Sequence, residues 1–489
     1  MSKSSGQKTC YLTTTLPYVN SDPHIGFALE IVQADIWARF QKLQGLEVFF
    51  NTGTDEHGVK IYRKAEEEGK EVQAYVDEYA EKFKNLKGAL GLLPEINFIR
   101  TTDKHHLEAA QAFWEKCEKA GDIYKKAYKI KYCVGCELEK TDSELVDGKC
   151  PIHPNLKIEI IDEENYFFKF SKYQKALLEL YEKNPNFTLP ASRQNEIRAF
   201  VSRGLEDFSI SRLKSKMPWG VTVPGDDSQV MYVWFDALVN YISAIGWPTD
   251  MVKFEKWWPV VQFAGKDNLR QQSAMWQAML LSAGLPASKQ IIIHGFITSG
   301  GQKMSKSLGN VIDPYVLVKE YGTEALRYFL ARHVNPFEDT DVTAEAIKDA
   351  YNANLANGLG NLVSRVLKMA TANGVAFKDE LLKDKKLFSD TEVFYEANKK
   401  ELEIFDFQKS TNAIWDVISY LDGFIQKEQP FKKIKTNKLA GEKDVEFLLV
   451  HLFVIATMLE PVMPETAKTI QNLIKSGTMP EKPLFPRKD

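Results

Sequence analysis

Four residues announce metal chemistry before anything else does: Cys133, Cys136, Cys150 and His153. They form two close pairs, Cys-x2-Cys and Cys-x2-His, separated by the hairpin-length stretch 137–149. That spacing predicts a tetrahedral zinc site. Val134-Gly135 and Pro151-Ile152 suit the tight turns such a knuckle needs. Four protein ligands complete the shell and leave no position for a substrate, so one structural Zn2+ is expected. A second group, Pro23-His24-Ile25-Gly26-Phe27, stands where a helical pattern begins. A helix start after a strand favours anions, because its N–H groups and positive dipole end face outward. There Gly26 would let a nucleotide approach and His24 could donate to a phosphate. Taken alone, a His-x-Gly is more often a turn histidine with a packing glycine. The third group is Gly300-Gly301-Gln302-Lys303-Met304-Ser305-Lys306-Ser307. It reads as a cationic loop whose lysines can neutralise charge on a departing pyrophosphate. A solvated basic loop would explain the lysines, though not the order of the run.

These groups need elements to hold them. Residues 10–14 are β-prone and break at Pro17, and Asn20-Ser21-Asp22-Pro23 is turn chemistry. Ala28, Leu29, Ile31, Val32, Ile36, Trp37, Phe40 and Leu43 recur at helical spacing, and Gly45 closes the pattern. Residues 46–50 form a second strand, leading to the loop 52–58. Strand, helix, strand is a parallel βαβ unit. No G-x-G-x-x-G follows the first strand, which excludes a dinucleotide fingerprint. Residues 124–168 read as an inserted small domain, and strands return near 230–235, 260–264 and 291–293. From 344 onward the pattern is helical. Ala413, Ile414, Val417, Ile418, Leu421, Phe424 and Ile425 make one stripe, stopped by Pro430; residues 445–459 make another. Residues 379–390 read as an inter-helix loop. The expected fold is α/β: a Rossmann-like parallel sheet split by a zinc-bearing insertion, followed by an all-α helical bundle.

Composition narrows the class. Lys and Arg total 63 against 66 Asp and Glu, a net charge of −3, which excludes a globally basic nucleic-acid coat but leaves room for a local groove. Five cysteines in 489 residues, three of them clustered, do not make a disulfide framework. Residues 1–8 lack the apolar stretch of a secretory signal. No uncharged apolar run reaches the roughly 18 residues of a membrane span. A soluble cytoplasmic protein is expected.

The second and third groups together resemble the paired signature of class I aminoacyl-tRNA synthetases, H-I-G-H and K-M-S-K-S. The second signature matches letter for letter, whereas Phe27 replaces the final histidine of the first. Within that class, Leu16-Pro17-Tyr18-Val19-Asn20, Thr54-Asp55-Glu56-His57-Gly58, Tyr232-Val233-Trp234-Phe235-Asp236-Ala237, Phe263-Ala264-Gly265-Lys266-Asp267 and His294-Gly295-Phe296 are similar to the methionine family. The resemblance spans essentially the whole chain. It implies a catalytic domain in two parts, 1–118 and 229–296, with a connective insertion at 119–228. A signature-loop and stem-contact region at 297–357 and an anticodon-binding helical domain at 358–489 would follow.

It also implies roles. His24, Lys303 and Lys306 would act in catalysis. ATP, with Mg2+, would be bound by these three together with Gly26, Gly265, Asp267 and His294. Asp55 would meet the ammonium of L-methionine. Leu16, Tyr18, Trp234, Ala237, Tyr241 and Trp276 would surround the thioether, where sulfur–ring contacts are worth roughly 0.3–1.5 kcal/mol each. Each of these aromatics taken singly is as well explained by core packing. Gln272 would stand in the pocket wall where a histidine is usual, and Leu238 where a proline is common. The zinc knuckle is a family feature of the same insertion. Asn361 and Arg365, one helical turn apart, would read the anticodon of tRNA(Met), initiator tRNA included. Phe431, where tryptophan is more common, would stack on an anticodon base, with Lys432, Lys433 and Lys435 beside phosphates. The implied activity is ATP-dependent formation of methionyl-adenylate and its transfer to tRNA. The alternatives are a class I enzyme for another amino acid and a non-catalytic RNA-binding relative. A cysteine enzyme would place zinc ligands at its pocket, enzymes for branched aliphatic residues carry a large editing domain, and a non-catalytic relative would lose Lys303 and Lys306. With the sequence ending at Asp489, no appended dimerisation module is expected, hence a monomer.

Overall fold

In a computed structural model of the protein, residues 8–136, 138–304 and 310–489 are described. By internal contacts the chain divides into two units. The first comprises the described parts of Met1–Pro23, Leu46–Leu86 and Pro94–Ile293, the second His24–Gly45, Lys87–Leu93 and the described parts of His294–Asp489.

The first unit is built on a six-stranded sheet. Its order is Asn97–Arg100, Glu47–Thr54, Thr9–Thr13, Val261–Gly265, Gln290–His294 and Thr188–Leu189. Thr9–Thr13 registers in parallel with Glu47 to Asn51 on one side, and Leu12 lies opposite Val261 on the other. Both faces of the sheet are covered: all of Val261–Gly265 is buried, Gln262 included, as are Ile291, Ile292 and Ile293. The core over them is aromatic, with Phe113 packed against Phe235, Trp247 and Trp276. The chain leaves Thr9–Thr13 toward one edge and later fills the other side, so the strand order reverses beside it. Ligands of open α/β sheets bind outside the carboxyl ends of the strands at such a point.

The inserted stretch carries a four-stranded antiparallel sheet of Leu138–Lys140, Ile123–Cys133, Glu159–Phe168 and Phe208–Ser209. Thr188–Leu189, in the middle of that stretch, instead pairs with Ile291 and Ile292 at the edge of the main sheet. The strand expected at 230–235 differs. Asp226–Met231 pairs in a small antiparallel sheet, and the chain turns at Tyr232 into the short helix Val233–Ala237. Its β-prone residues are there because Val233, Phe235 and Ala237 face the core.

The second unit is mainly helical. The long helix Ile25–Leu43 carries Asp35, which pairs with fully buried Arg327 at 2.8 Å. The same guanidinium donates to the carbonyls of Leu90, Pro461 and Val462, so each of the three nitrogens of this buried cation has an acceptor. The expected stripe lies on Phe407–Glu428 with all but Phe424 of its seven residues buried. The helix stops where Gln429 takes a left-handed φ of 46° ahead of Pro430. The second stripe belongs to Lys438–Leu459, and 379–390 holds two short 3₁₀ turns, Asp379–Lys383 and Lys385–Phe388. Among the described residues no helix is long and apolar enough to cross a membrane.

Candidate active site and metal centre

Pro17 has no N–H to continue the first strand, so the ladder skips it and resumes. Asp55 N–H donates to the Pro17 carbonyl at 3.0 Å and Val19 N–H to the Asp55 carbonyl at 3.3 Å. This bridge sets Tyr18 opposite Asp55 just beyond the carboxyl ends of two adjacent strands, Thr9–Thr13 and Glu47–Thr54. Asp55 is buried, and Leu16 and Tyr18 are half-buried. Trp234 meets Tyr18 edge to face at 6.1 Å. The structure thus brings together Tyr18, Asp55 and Trp234, and separately Tyr241 and Trp276, whose rings lie 6.0 Å apart. Trp276 is wholly buried against Phe113, so it serves the core as well. The indole N–H groups of Trp234 and Trp276 are buried without a hydrogen-bond partner.

The loop that presents Asp55 is locked from beneath by residues that motif reading passed over. Buried Glu56 accepts from Arg100 at 2.7 and 2.9 Å, from the Thr54 hydroxyl at 2.6 Å and from the Thr102 hydroxyl at 2.5 Å. Trp219 Nε1 donates to the Glu56 carbonyl at 2.7 Å. His57 Nδ1 lies 2.6 Å from one oxygen of Asp236, and His106 Nε2 lies 2.9 Å from the other. Burial works to raise the Asp236 carboxyl, but the field and hydrogen bonds of the two histidines win and hold it at about 2. Asp236 is therefore an ionised anchor, and the sole hint of it in sequence was its place among the quoted motifs.

Gln272 lies on a turn of π-helix, Gln271–Met275, a geometry found often at functional sites. Its Nε2 donates to Tyr241 Oη at 2.7 Å and its Oε1 accepts from Gln262 at 2.9 Å. Ala237 is buried in the helix Val233–Ala237. Gly265 ends its strand and Asp267 lies exposed on the 3₁₀ turn just beyond, again at a carboxyl end.

In the second unit His24 caps the helix Ile25–Leu43: its Nδ1 accepts from Gly26 N–H at 3.0 Å. With Nδ1 accepting, the neutral ring carries its proton on Nε2, the nitrogen able to donate to a phosphate. A Cβ at residue 26 would lie 2.8 Å from His24 Cε1, so the glycine makes room for the histidine ring itself. Ile25 N–H is also engaged, with the Ile312 carbonyl at 3.0 Å. The first two helical N–H groups are thus used within the chain. His294 is clamped between Glu30, 2.8 Å from Nε2, and the Gly295 carbonyl, 2.7 Å from Nδ1. Both ring nitrogens thus face oxygens, which fixes the orientation of the ring. Gly295 is required by contact, since a Cβ there would lie 2.2 Å from the Glu338 backbone. Gly300 and Gly301, with φ of 63° and 71°, form the two-residue turn of a hairpin joining Ile297–Ser299 to Gln302–Lys303. Lys303 ends that hairpin; Lys306 lies outside the described residues.

The Cys/His group closes as its spacing predicts. The ligand atoms of Cys133, Cys136, Cys150 and His153 all lie within 4.8 Å of one another. Cys136 and Cys150 sulfurs are 3.5 Å apart, and His153 Nδ1 lies 3.9, 3.3 and 4.0 Å from the sulfurs of Cys133, Cys136 and Cys150. A tetrahedral zinc with bonds of about 2.3 Å to sulfur and 2.0 Å to nitrogen needs edges of roughly 3.5–3.8 Å. The residues fit the ion. Gly135 is part of the fit, because a Cβ there would sit 2.4 Å from His153 Cγ. The spacer turns back through Asp147-Gly148, both with positive φ, between the bridged residues Val146 and Lys149.

In the helical region Asn361 is exposed at the start of Asn361–Asn373, just after a π-helical stretch, Tyr351–Gly360. Arg365 is held by Asp422 at 2.6 Å. Phe431 is 45% exposed in the first turn of Pro430–Thr436. Both helices pack against Lys438–Leu459. Lys433 is paired with Glu428 and Asp444, which makes it a weaker phosphate candidate than Lys432 or Lys435.

This arrangement defines a class through its comparisons. The model of the family of class I tRNA synthetases (M) matches residues 10–159 and 154–367, and the chain belongs to that family. Among curated proteins it is 40% identical over 477 residues to a methionine–tRNA ligase of Thermosynechococcus vestitus, covering 94% of this chain and 88% of the relative. It is 39% identical to that of Rhizobium meliloti, covering 98% of each. Its structure is similar to that of Mycobacterium tuberculosis methionyl-tRNA synthetase in complex with methionyl-adenylate, with a TM-score of 0.91, 35% identity, and coverage of 98% of this chain and 100% of that one.

Proposed function

We propose that this chain activates L-methionine with ATP and transfers the methionyl group to the 3′ end of tRNA(Met), initiator tRNA included. The observation that carries this is the match, along nearly the whole chain, to methionine–tRNA ligases. In this reading Asp55 is the counter-ion of the substrate ammonium, and Tyr18, Trp234, Tyr241 and Trp276, with Leu16, Ala237 and Gln272, form the side-chain pocket. The substrate carboxylate attacks the α-phosphorus in line, and the bond to pyrophosphate breaks. No enzyme nucleophile is needed. The work falls to groups that neutralise growing charge on the phosphates: His24 through Nε2–H, Lys303 and Lys306. Gly265 and Asp267 hold the ATP ribose, and His294 with Glu30 forms part of the nucleotide site. A hydroxyl of the terminal adenosine of tRNA then attacks the adenylate carbonyl and AMP leaves. Mg2+ accompanies ATP and screens its phosphates. Zn2+ is held by Cys133, Cys136, Cys150 and His153 and acts on structure alone. Asn361, Arg365 and Phe431 read the anticodon. The protein works as a cytoplasmic monomer; a dimer seen by light scattering at micromolar concentration would overturn that part.

The test is ATP–pyrophosphate exchange with each of the twenty amino acids. Exchange with methionine alone is expected. Exchange with another amino acid would overturn the substrate, and silence throughout would overturn the enzymatic reading.

A further inference from the structure

The hairpin that carries Lys303 is short, and part of what holds it comes from about forty positions further along the chain. Its outer strand, Gln302–Lys303, has two residues, and they pair with Ser299 and Thr298. So small a hairpin is marginal by itself. On the other side of Ile297–Ser299 runs Thr340–Asp341, in parallel, so Asp341, Thr298 and Lys303 share one row across the three strands. Asp341 does more than pair. Its Oδ1 accepts from the Thr298 hydroxyl at 2.9 Å and from Gly301 N–H at 2.8 Å. Gly301 is the second residue of the turn, with φ of 71°. The central N–H groups of a two-residue turn lie outside the ladder and need an acceptor from elsewhere. One carboxylate oxygen thus ties the turn to the central strand.

The segment presenting that oxygen is fixed on both sides. Before it, Asn335 Oδ1 accepts from Phe337 N–H at 2.9 Å and from Glu338 N–H at 3.0 Å, and Asn335 N–H donates to Thr340 Oγ1 at 3.0 Å. Asp339 accepts from Phe296 N–H at 2.9 Å, at the head of the same central strand. After it, Thr343 caps the helix Ala344–Ala350 by accepting from Ala346 N–H at 3.1 Å.

We propose that Asp341 is a positioning residue for the activation step. It holds the glycine turn so that Lys303 meets the departing pyrophosphate from a fixed place on its strand. This rests on the role given to Lys303 in the proposed function. The carboxylate is exposed, so its two bonds add little to the stability of the fold. Their effect is on geometry, where a misplacement of about 1 Å can cost a catalytic group about a hundredfold. Lys303 acts on charge that grows in the transition state, so the clamp bears on kcat and not on KM for methionine.

The test is methionine-dependent ATP–pyrophosphate exchange by the full chain, with thermal unfolding beside it. Asp341→Ala is expected to lower kcat about tenfold, leaving KM for methionine within about twofold and the thermal midpoint within about 2 °C. Asp341→Asn keeps an oxygen that can accept from both donors, and should return kcat to within about threefold of wild type. Thr298→Val removes one of the two bonds and keeps a strand-forming side chain; it should lower kcat about threefold. In a Lys303→Ala background Asp341→Ala should add less than about twofold, because the turn then has no lysine to place. An unchanged kcat in Asp341→Ala, a KM for methionine that rises as kcat falls, an Asn variant as impaired as the Ala variant, or a full further loss on top of Lys303→Ala would overturn the clamp while leaving the function standing. Wild-type exchange in Lys303→Ala would overturn the role of the loop on which the clamp rests. Wild-type protein inert with methionine would overturn the function itself.

Discussion

The candidate chemistry lies in opposite surroundings at the amino-acid pocket of the first unit and on the helical part of the second. In the first unit it is buried and paired: Asp55 at the strand ends, Asp236 between two histidines, the amides of Gln262 and Gln272 beside Tyr241 and the closed Cys/His knuckle. In the helical part of the second unit the candidate RNA-reading groups lie at the surface, Asn361 and Phe431 exposed and Arg365 half-exposed. The difference follows the size of what is recognised. A free amino acid offers few atoms, so selection needs groups that are dry, fixed and penalised when unpaired. An RNA loop offers whole bases, and stacking on an exposed ring suffices.

The largest effect expected from this contrast is at Asp55. Asp55→Ala leaves the substrate ammonium without its buried partner, and loss of such a partner costs roughly 2–5 kcal/mol. Methionine-dependent pyrophosphate exchange should fall about a thousandfold in kcat/KM, with the unfolding midpoint little changed. A loss below about tenfold would mean that Asp55 is not the counter-ion, and the buried half of the contrast would lose its centre.

The knuckle should respond through stability rather than chemistry. Cys136→Ala removes one of four ligands, so bound zinc should drop from one equivalent to a small fraction. The part of folding free energy contributed by the ion is lost with it, lowering the thermal midpoint by about 5–10 °C. Residual activity per folded molecule should stay close to wild type. An abolished exchange in protein that remains folded would assign the metal to catalysis.

Acid separates the units in a third way. His451 is fully buried, with Nδ1–H donating to the Phe447 carbonyl at 2.9 Å and Nε2 3.1 Å from the Thr391 hydroxyl. Burial outweighs the hydrogen bond to Phe447 and the charge of Asp390, and pushes the ring down from 6.5 to about 4. Between those values the unfolded chain binds a proton that the folded one refuses. Stability is therefore complete above the ordinary histidine value and lost as pH falls through about 4, by about 3 kcal/mol for this group. His333, also lowered to about 4 by burial and by Arg332, adds in the same direction. Asp236 has the opposite reserve: held at about 2, its contribution is present above the ordinary carboxylate value and persists until pH falls through about 2. Urea unfolding at pH 7 and pH 5 should show the helical region weakening first, and His451→Gln should flatten that slope. An unchanged midpoint between the two pH values would break this part of the contrast.

How much of this was legible beforehand depends on how far apart the partners lie in the chain. The knuckle was readable whole, because its ligands fall between residues 133 and 153 and spacing alone closes the shell. So were the parallel sheet and the stripe on Phe407–Glu428. Asp236 as an anchor was not, since His57 and His106 lie 179 and 130 positions away and meet it solely through the strand order. The hydrogen bond from Gln262 to Gln272 was hidden likewise, although Gln272 itself was singled out. Two local features carry a structural role that the sequence did not show. Gly26 serves the His24 ring, and Gly300-Gly301 turns a tight hairpin because Thr298 and Lys303 pair across it. Residues 230–235 look β-prone because they are buried and bulky, which a core helix also requires.

The smallest expected effect probes the exposed side of the contrast. Phe431 sits in the first turn of Pro430–Thr436, fixed by the proline at the helix start and by Gln429 in the left-handed region. Its ring is 45% exposed, with the Lys432 ammonium 5.9 Å from its centre. Stacking of a base on such a ring is worth roughly 1–3 kcal/mol and tolerates a change of ring type. Phe431→Ala should therefore reduce kcat/KM for tRNA charging about tenfold to a hundredfold and leave pyrophosphate exchange untouched, because activation needs no anticodon. Phe431→Trp should match or exceed wild type, since the larger ring covers more of a base. A loss in exchange equal to the loss in charging would show that the ring acts through the fold instead. An unchanged charging rate would remove Phe431 from the RNA-reading surface and leave Asn361 and Arg365 to carry it.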